Sequence, residues 1–318
     1  MSMIPVRVAN KRREAEAICS YELVREDGAA LPPFEAGAHV DVHLPGKLVR
    51  QYSLCNAPGE THRYLISVLR DAGSRGGSQA MHDHIDTGSV LQISEPKNHF
   101  PLVEASRTLL LAGGIGVTPL LAMAEALASK GAAFEMHYCV RSPERAAFRE
   151  RIDASCFAGQ VHFLYDSGQA AQKLDLPSLL AAPEPDTHLY VCGPQGFIDH
   201  VLGAARAQGW PAAQLHVEYF GAAAADPGGD QPFDVKLASS GKVVSVPVGQ
   251  SVVKALAAQG VEIPYSCEQG VCGTCLTRVL EGVPDHRDMY LTEEEQAAND
   301  QFTPCCSRAR TAVLVLDL

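Results

Sequence analysis

The sequence predicts a multidomain chain: a small antiparallel β-barrel, an α/β doubly wound domain, and a compact α+β domain at the C-terminal end. Three observations carry this. Residues up to about 100 hold closely spaced strand signals with little helical periodicity. From Arg107 onward, apolar strand runs alternate with helical stretches. Beyond a Gly-rich interruption, the last part of the chain gathers cysteines at a distinctive spacing.

In the first region Ala38–Leu44, Arg50–Cys55, Tyr64–Arg70 and Val90–Ser94 read as strands, separated by turns such as Leu44-Pro-Gly46 and Ala57-Pro-Gly59. In the second, strands are expected at Thr108–Ala112, Phe134–Val140, Gln160–Tyr165, His188–Cys192 and Gln214–Phe220. Helices are expected after Pro119, near Ser178 and over Phe197–Gln208. Ala222–Asp230 has no periodicity and is rich in Gly and small residues, which reads as a linker. Phe233–Leu237 and Val243–Val248 then form a hairpin around Ser239–Lys242, followed by a helix at Val252–Gln259 and a last strand at Ala312–Leu318. The domain limits are therefore 1–103, 104–225 and 233–318, with 226–232 as linker.

The totals narrow the function. A chain of 318 residues suits two or three domains, and 46% apolar with 20% charged residues is ordinary for a globular protein. A net charge of −11 argues against nucleic acid, which calls for a basic face. The longest apolar run, around Leu109–Gly116, is too short to cross a bilayer. Ten cysteines without a secretory signal point to a reducing, cytoplasmic setting, where clustered thiols mean metal or redox chemistry.

Cys267, Cys272, Cys275 and Cys305 are spaced C-x4-C-x2-C-x29-C. The first three match the plant-type [2Fe–2S] arrangement, whose fourth ligand comes from far along the chain. Gly270 and Gly273 allow the loop to wrap closely so that N–H groups reach sulfur, and Ser266 and Thr274 add hydroxyls. A structural zinc site or unrelated buried cysteines are the alternatives, but zinc motifs repeat C-x2-C pairs. Cys306 stands beside Cys305; Cys305 is taken as the ligand and Cys306 as a small buried hydrophobe. Cys19, Cys55, Cys139 and Cys156 read as buried filler.

Gly113-Gly-Ile-Gly-Val-Thr-Pro119 lies between a strand and a helix, where glycine lets a diphosphate approach free backbone N–H groups. Pro119 suits a first helical turn, but stands where the last Gly of G-x-G-x-x-G would fall. Taken alone, the turn could be plain punctuation. Val191-Cys-Gly-Pro-Gln-Gly196 follows another apolar strand and belongs on the same carboxyl edge, where ligands bind. On the barrel, Arg50, Tyr52 and Leu54 share one side of a strand and Ser53 the other. An Arg beside a Tyr can pair a phosphate and cover an aromatic ring; a surface Arg beside a half-buried Tyr is the simpler reading of the motif in isolation. Arg75-Gly-Gly-Ser78 offers phosphate donors or is an ordinary loop. Glu293-Glu-Glu295 reads as a solvated run or as a contact for a basic partner.

In this order the motifs resemble the phthalate dioxygenase reductase family, which includes vanillate demethylase reductases, over nearly the whole chain. Arg50–Leu54 resembles its R-x-Y-S-L flavin motif, Arg75–Ser78 its flavin-phosphate turn, Gly113–Pro119 its G-G-I-G-x-T-P nicotinamide turn and Cys192–Pro194 its C-G-P. Cys267–Cys275, Asp285-His-Arg-Asp288 and Cys305-Cys-Ser-Arg-Ala309 resemble its β-grasp, plant-type ferredoxin module. The resemblance implies FMN rather than FAD, NADH as donor, and a Rieske-type aromatic-ring oxygenase as acceptor. It implies that Arg50, Tyr52, Ser53 and Leu54 hold FMN, that Gly76, Gly77 and Ser78 bind its phosphate, and that Val68 lines the ring. Gly113, Gly114, Gly116, Thr118, Pro119, Arg141, Cys192, Gly193 and Pro194 serve the nicotinamide nucleotide; Cys192, Glu218 and Phe220 lie near the nicotinamide and flavin. No side chain is needed as catalytic acid or base, since the reaction is centred on cofactors. The expected product is a monomeric reductase that uses no nucleic acid or membrane. A cytochrome P450 or a separate ferredoxin is the alternative acceptor, and a non-catalytic metal-binding interaction protein the alternative from another class.

Overall fold

The computed structural model describes residues 3–45, 48–74, 76–169, 172–181, 183–221 and 229–318. Arg75, Gly46 and most of the expected linker, 222–228, lie outside the described residues. The chain divides into two units, Met1–Phe220 and Gly221–Leu318.

The first unit opens with β1 (Met3–Ala15), β2 (Ile18–Arg25), β3 (His39–Leu44), β4 (Leu48–Ser53), β5 (Tyr64–Leu69), α1 (Gly77–His84) and β6 (Val90–Ser94). The strands form a six-stranded antiparallel sheet in the order β4-β3-β6-β1-β2-β5. Alternate residues such as Ile4, Val6 and Val8 or Val40 and Val42 point into one core. The alternation of β1 is legible in the sequence, although no strand was expected before Ala38. Helix α1 was also unexpected. Its Met81 is buried in the barrel core and its Met81 carbonyl accepts from the Tyr21 hydroxyl at 2.8 Å.

Next come β7 (Arg107–Gly113), α2 (Val117–Ser129), β8 (Phe134–Val140), α3 (Arg149–Asp153), β9 (Val161–Tyr165), α4 (Leu176–Leu179), β10 (Thr187–Cys192), α5 (Gln195–Ala207) and β11 (Leu215–Glu218). All neighbouring pairs in the sheet β11-β10-β7-β8-β9 are parallel. The chain starts in the middle, runs outward through β8 and β9, and returns to the other side of β7 with β10. Leu109 and Leu111 of β7 face α5, while Leu110 and Ala112 face α2, so both faces are covered. The change of sheet falls between β6 and β7, but the core does not divide there. Ala15, Ile18, Ala36, Cys55 and Phe100 join the core under α2, and Arg151 donates to the Cys55 carbonyl at 2.9 Å.

The second unit holds β12 (Phe233–Leu237), β13 (Val243–Val246), α6 (Val252–Ala257), β14 (Thr277–Glu281), β15 (Pro284–Asp285), α7 (Glu293–Ala298), β16 (Gln301–Phe302), β17 (Arg308–Ala309) and β18 (Val313–Leu316). Its mixed sheet runs β13-β12-β18-β14-β16, with β12 parallel to β18. Val252, Val253, Ala255 and Leu256 of α6 enter the core. The acidic run Glu293–Glu295 is the first turn of α7, where carboxylates suit the positive helix end. Thr292 and Glu295 close a reciprocal capping box there. The run therefore has a structural role of its own.

The expectation of buried filler is corrected for three of the four cysteines it named. Cys156 is exposed and Cys19 and Cys139 are half-buried, so only Cys55 is the fully buried filler. A cysteine side chain carries little apolar area, so little is gained by drawing it fully inward.

Gly37 shows how tightly the barrel closes. Its φ is +92°, and a Cβ there would sit 1.9 Å from the Phe100 carbonyl oxygen. Gly37→Ala is expected to destabilise the first unit by about 3 kcal/mol, from left-handed strain and the clash. Denaturant unfolding of the full chain, followed on the Met1–Phe220 transition, checks this.

Candidate cofactor sites

The parallel sheet reverses its winding between β7 and β10, and ligands of such sheets sit outside the carboxyl ends at that switch point. Both glycine turns are there. Ala112 of β7 is the register partner of Cys192 of β10, so the turns that follow start side by side. Gly113–Gly116 passes through one 3₁₀ turn into α2, and Cys192-Gly193-Pro194 leads into α5. The two turns are packed backbone to backbone. A Cβ on Gly116 would lie 2.2 Å from the Cys192 carbonyl oxygen, and one on Gly193 would lie 2.9 Å from the Cα of Gly113. A Cβ on Gly113 would strike the Phe197 ring. Only hydrogen fits, which leaves backbone N–H groups at two helix starts open to an anion. Thr118 and Pro119 are buried in the first turn of α2, and the Thr118 hydroxyl donates to the Ile115 carbonyl at 3.0 Å. These two shape the turn from behind. Arg141 is exposed just past the end of β8.

On the barrel, β4 carries Arg50, Tyr52 and Ser53, paired with β3. Arg50 lies directly over the start of α1: a Cβ on Gly77 would be 2.5 Å from the Arg50 Nε. Gly76 caps that helix in the left-handed region at φ +87°. A guanidinium, two glycines and the first N–H groups of a helix thus meet at one point, a set of donors suited to phosphate. The Ser78 hydroxyl accepts from the Asp71 N–H at 3.1 Å. Tyr52 is half-buried against the barrel core, and burial pushes its hydroxyl pKa up. Leu54 and Val68 have their side chains inside that core, so each can meet a ligand only through its backbone. The Val68 carbonyl already contacts His82 Nε2 at 2.9 Å.

Ser53, on the opposite face from Arg50, touches the nucleotide sheet. Its hydroxyl bonds the carboxyl of Glu218, the last residue of β11 and the register partner of Cys192. Burial pushes the Glu218 pKa up to about 8, with the Ser53 bond working against it. The second carboxyl oxygen, Oε2, is buried with no hydrogen-bond partner. Buried orphan oxygens are costly, and a polar ligand beside Ser53 and Cys192 would relieve this one. Cys192 is fully buried, and burial followed by the Glu218 charge lifts its thiol far above the usual range. Phe220 is 40% exposed, as an aromatic residue at a site edge would be.

In the second unit, Cys267, Cys272 and Cys275 lie on the loop between α6 and β14, and Cys305 follows β16. All four are buried. Their thiols touch: Cys267 bonds Cys272 and Cys305, and Cys305 also bonds Cys275. The Cys267 sulfur and burial together push the Cys272 thiol far up. So many thiols ionise together only around a cation, and metal coordination deprotonates them. Among the described residues no three His, Cys, Asp or Glu side chains surround a single metal ion; a [2Fe–2S] cluster asks for two thiolates at each iron. The loop is folded for this. Gln269 N–H donates to the Cys267 sulfur at 3.3 Å and the Thr274 hydroxyl lies 3.3 Å from the Cys272 sulfur. Gly270 (φ +71°) and Gly273 (φ +66°) are pressed against Asp288 and the Tyr290 ring, leaving no room for a Cβ.

Cys306 packs against the apolar core of the second unit as expected, but its burial is only partial. It is half-buried, reaches Thr303 and Ser307, and its sulfur would lie 2.4 Å from a Cβ on Gly270. Residue-by-residue reading also missed the ion network behind the loop. Asp230 pairs Arg287 at 2.6 Å and Arg308 at 3.4 Å, and Arg308 donates to the carbonyls of Gln250, Gln231 and Pro247. The motifs around Arg287 and Arg308 were the only signal, and neither names Asp230.

Comparison with known proteins agrees with this geometry. The 2Fe-2S iron–sulfur cluster binding domain family matches residues 235–310, and the oxidoreductase NAD-binding domain family matches residues 110–202. Vanillate O-demethylase oxidoreductase of Pseudomonas sp. (strain HR199 / DSM 7063) is 56% identical over 317 residues, covering 99% of this chain and 100% of that protein. The solved structure of a phthalate dioxygenase reductase, described as modular for electron transfer from pyridine nucleotides to [2Fe–2S], superposes with a TM-score of 0.81 at 39% identity, covering 100% of this chain and 98% of that one. The chain belongs to the phthalate dioxygenase reductase and vanillate O-demethylase oxidoreductase family. An intact type IV self-sufficient cytochrome P450 monooxygenase also matches, with TM-score 0.83 and 38% identity over 99% of this chain but 41% of the P450. This reductase therefore uses NADH, FMN and a [2Fe–2S] cluster, and it is an enzyme; the non-catalytic interaction protein is excluded.

Two outcomes follow for the reductase. Cys305→Ser is expected to lose the cluster while Cys306→Ser keeps it, as read by iron and sulfide content after anaerobic purification. Because the folded-state pKa of Glu218 is raised, the charged carboxylate weakens the fold as pH climbs from its unfolded value toward about 8. Glu218→Gln should therefore leave the melting temperature of the flavin-free chain unchanged near pH 4 and raise it near pH 8.

Proposed function

We propose that this reductase passes electrons from NADH through FMN and its [2Fe–2S] cluster to a Rieske-type aromatic-ring oxygenase of the vanillate O-demethylase kind. The observation that carries the oxygenase class is the 56% identity, end to end, with a vanillate O-demethylase oxidoreductase. Energetics agree: plant-type clusters lie near about −400 mV and Rieske centres at roughly −150 to +300 mV, so the transfer runs downhill.

Flavin supplies the conversion that the reaction needs, because it takes two electrons as a hydride and releases them singly. The chain's residues do the holding. Arg50, the Gly76–Gly77 cradle and Ser78 take the FMN phosphate. Tyr52 and Phe220 cover the ring faces, Ser53 meets its polar edge, and the backbones of Leu54 and Val68 line it. The backbones of Gly113, Gly114 and Gly116 and of Cys192-Gly193-Pro194 take the nucleotide diphosphate, with Thr118 and Pro119 fixing that turn and Arg141 at the nucleotide's outer end. Cys192 and Glu218 close the wall where nicotinamide meets flavin. Cys267, Cys272, Cys275 and Cys305 ligate the cluster. The domain limits 1–103, 104–225 and 233–318 describe these three cofactor modules. All ten cysteines are unbridged, which suits a reducing cytoplasm, and the chain acts as a monomer. Among the described residues no helix is long and apolar enough to cross a membrane.

A second acceptor has one specific observation in its favour: a self-sufficient P450 carries the same modules. Stopped-flow mixing separates the two. Chain reduced by NADH should be reoxidised rapidly by a vanillate-demethylating Rieske oxygenase and slowly by a P450. The reverse order would replace the oxygenase with the haem protein.

A further inference from the structure

A carboxylate is seldom buried without a cation beside it, because leaving water costs free energy that pairing must offset. In the second unit Asp230 follows that rule, with Arg287 and Arg308 against it. Asp288 does not. Its side chain is 0% exposed, yet among the described residues no Lys or Arg pairs with it. The neighbouring Arg287 guanidinium turns instead to Asp230 and Asp285, at 2.6 and 2.7 Å. The Asp288 carboxylate is met by two neutral donors, the Leu291 N–H at 2.8 Å on Oδ2 and the Ser307 hydroxyl at 3.3 Å on Oδ1. The His286 Nδ1 lies 3.5 Å from Oδ1, too far for a hydrogen bond, and both nitrogens of that ring are buried with no hydrogen-bond partner.

Asp288 touches both chain segments that carry the clustered cysteines. On one side is the loop from Cys267 to Cys275. A Cβ on Gly270 of that loop would lie 2.7 Å from the Asp288 Cβ, and the next residue, Met289, donates its N–H to the Gly270 carbonyl at 3.0 Å. On the other side is Ser307, two residues beyond Cys305 and fully buried. Its hydroxyl donates to Asp288 and accepts from the Arg287 N–H at 3.1 Å. The contact between the loop and the distant ligand's segment therefore runs through one buried carboxylate.

We propose that Asp288 is a positioning residue for the [2Fe–2S] cluster: it locks the Cys267–Cys275 loop to the Cys305 segment and sets a buried negative charge behind them that keeps the cluster's reduction potential low. Net charge, hydrogen bonds to sulfur and solvent exposure set the potentials of such clusters. An electron added to the cluster meets the Asp288 charge, and the low dielectric of the interior strengthens that repulsion. A lower potential makes the cluster a stronger donor to its acceptor. Shape and hydrogen bonding account for only part of the choice of residue, since an amide of the same shape would also accept a hydrogen bond there without the cost of burying a charge. The charge is the part that packing does not require.

The proposal rests on the four cysteines holding the cluster, and iron content reports on that separately. Holo-reductase bearing Asp288→Asn is compared with the wild type in an anaerobic dye-equilibrium titration, with the cluster followed by its low-temperature EPR signal and by iron and sulfide content. Asp288→Asn keeps the shape and loses the charge, so it should retain iron and become easier to reduce by about tenfold, or about 59 mV for one electron. Ser307→Ala removes a hydroxyl that offsets the charge, so its cluster should become harder to reduce, a shift of opposite sign. Full iron with an unmoved potential in Asp288→Asn overturns the proposal. Where Asp288→Asn does not hold iron, an unmoved or raised potential in Ser307→Ala overturns it. Wild-type protein that binds no iron overturns the ligand assignment, and this proposal with it.

Discussion

Four cysteine sulfurs in mutual contact cannot all ionise unless a cation stands among them, and much of the second unit is built around that constraint. The loop between α6 and β14 turns through left-handed glycines at Gly270 and Gly273, each pressed so closely that a methyl group has no room. A backbone N–H points at the Cys267 sulfur. In the same unit, buried Asp230 and Arg308 and partly buried Arg287 form an ion network, and removing one partner of a buried ion pair is strongly destabilising. Apolar packing of α6 on the mixed sheet stabilises the frame, while the strained loop draws on the metal for part of its stability.

The first unit meets a different requirement, that of bringing two flat cofactors against backbone. It does so by removing side chains. At the switch point of the parallel sheet, Gly113, Gly116 and Gly193 lock two turns together at van der Waals distance or less for any added carbon. The glycines are explained by this turn-on-turn packing, and the same absence of side chains suits a helix start to an anionic ligand. Polar groups are concentrated where the barrel meets this edge: Ser53, Glu218 and Cys192 come from three strands of two sheets. The shared core under α2 makes that meeting rigid, since Ala15, Ile18 and Phe100 of the barrel side pack with Val117 and Leu120.

The parallel sheet was legible almost strand for strand, because its buried strands are continuous apolar runs and its turns carry glycine. The C-x4-C-x2-C cluster loop was legible from spacing, whereas spacing left Cys305 and Cys306 side by side as the distant partner. The barrel was less so. β1 and β2 mix Arg, Lys and Glu with apolar residues on their half-exposed faces, which blurs the period-two signal. Helix α1 was hidden because Gly76-Gly77 at its start looks like a turn, and its stability comes from Met81 in the barrel core rather than from propensity. Glu293–Glu295 looked like a charge run because a capping box is a matter of geometry as well as sequence. Roles that depend on contacts between distant strands, such as that of Glu218, leave almost no local trace; only the family motifs pointed to Ser53 and Glu218.

The central claim is that one chain holds a two-electron and a one-electron centre together. An anaerobic reductive titration of the purified protein tests it most directly. The account predicts uptake of about three electron equivalents per chain, two at flavin and one at the cluster, with both visible chromophores bleaching. Uptake of two with no iron–sulfur absorption, or of one with no flavin bands, would contradict it.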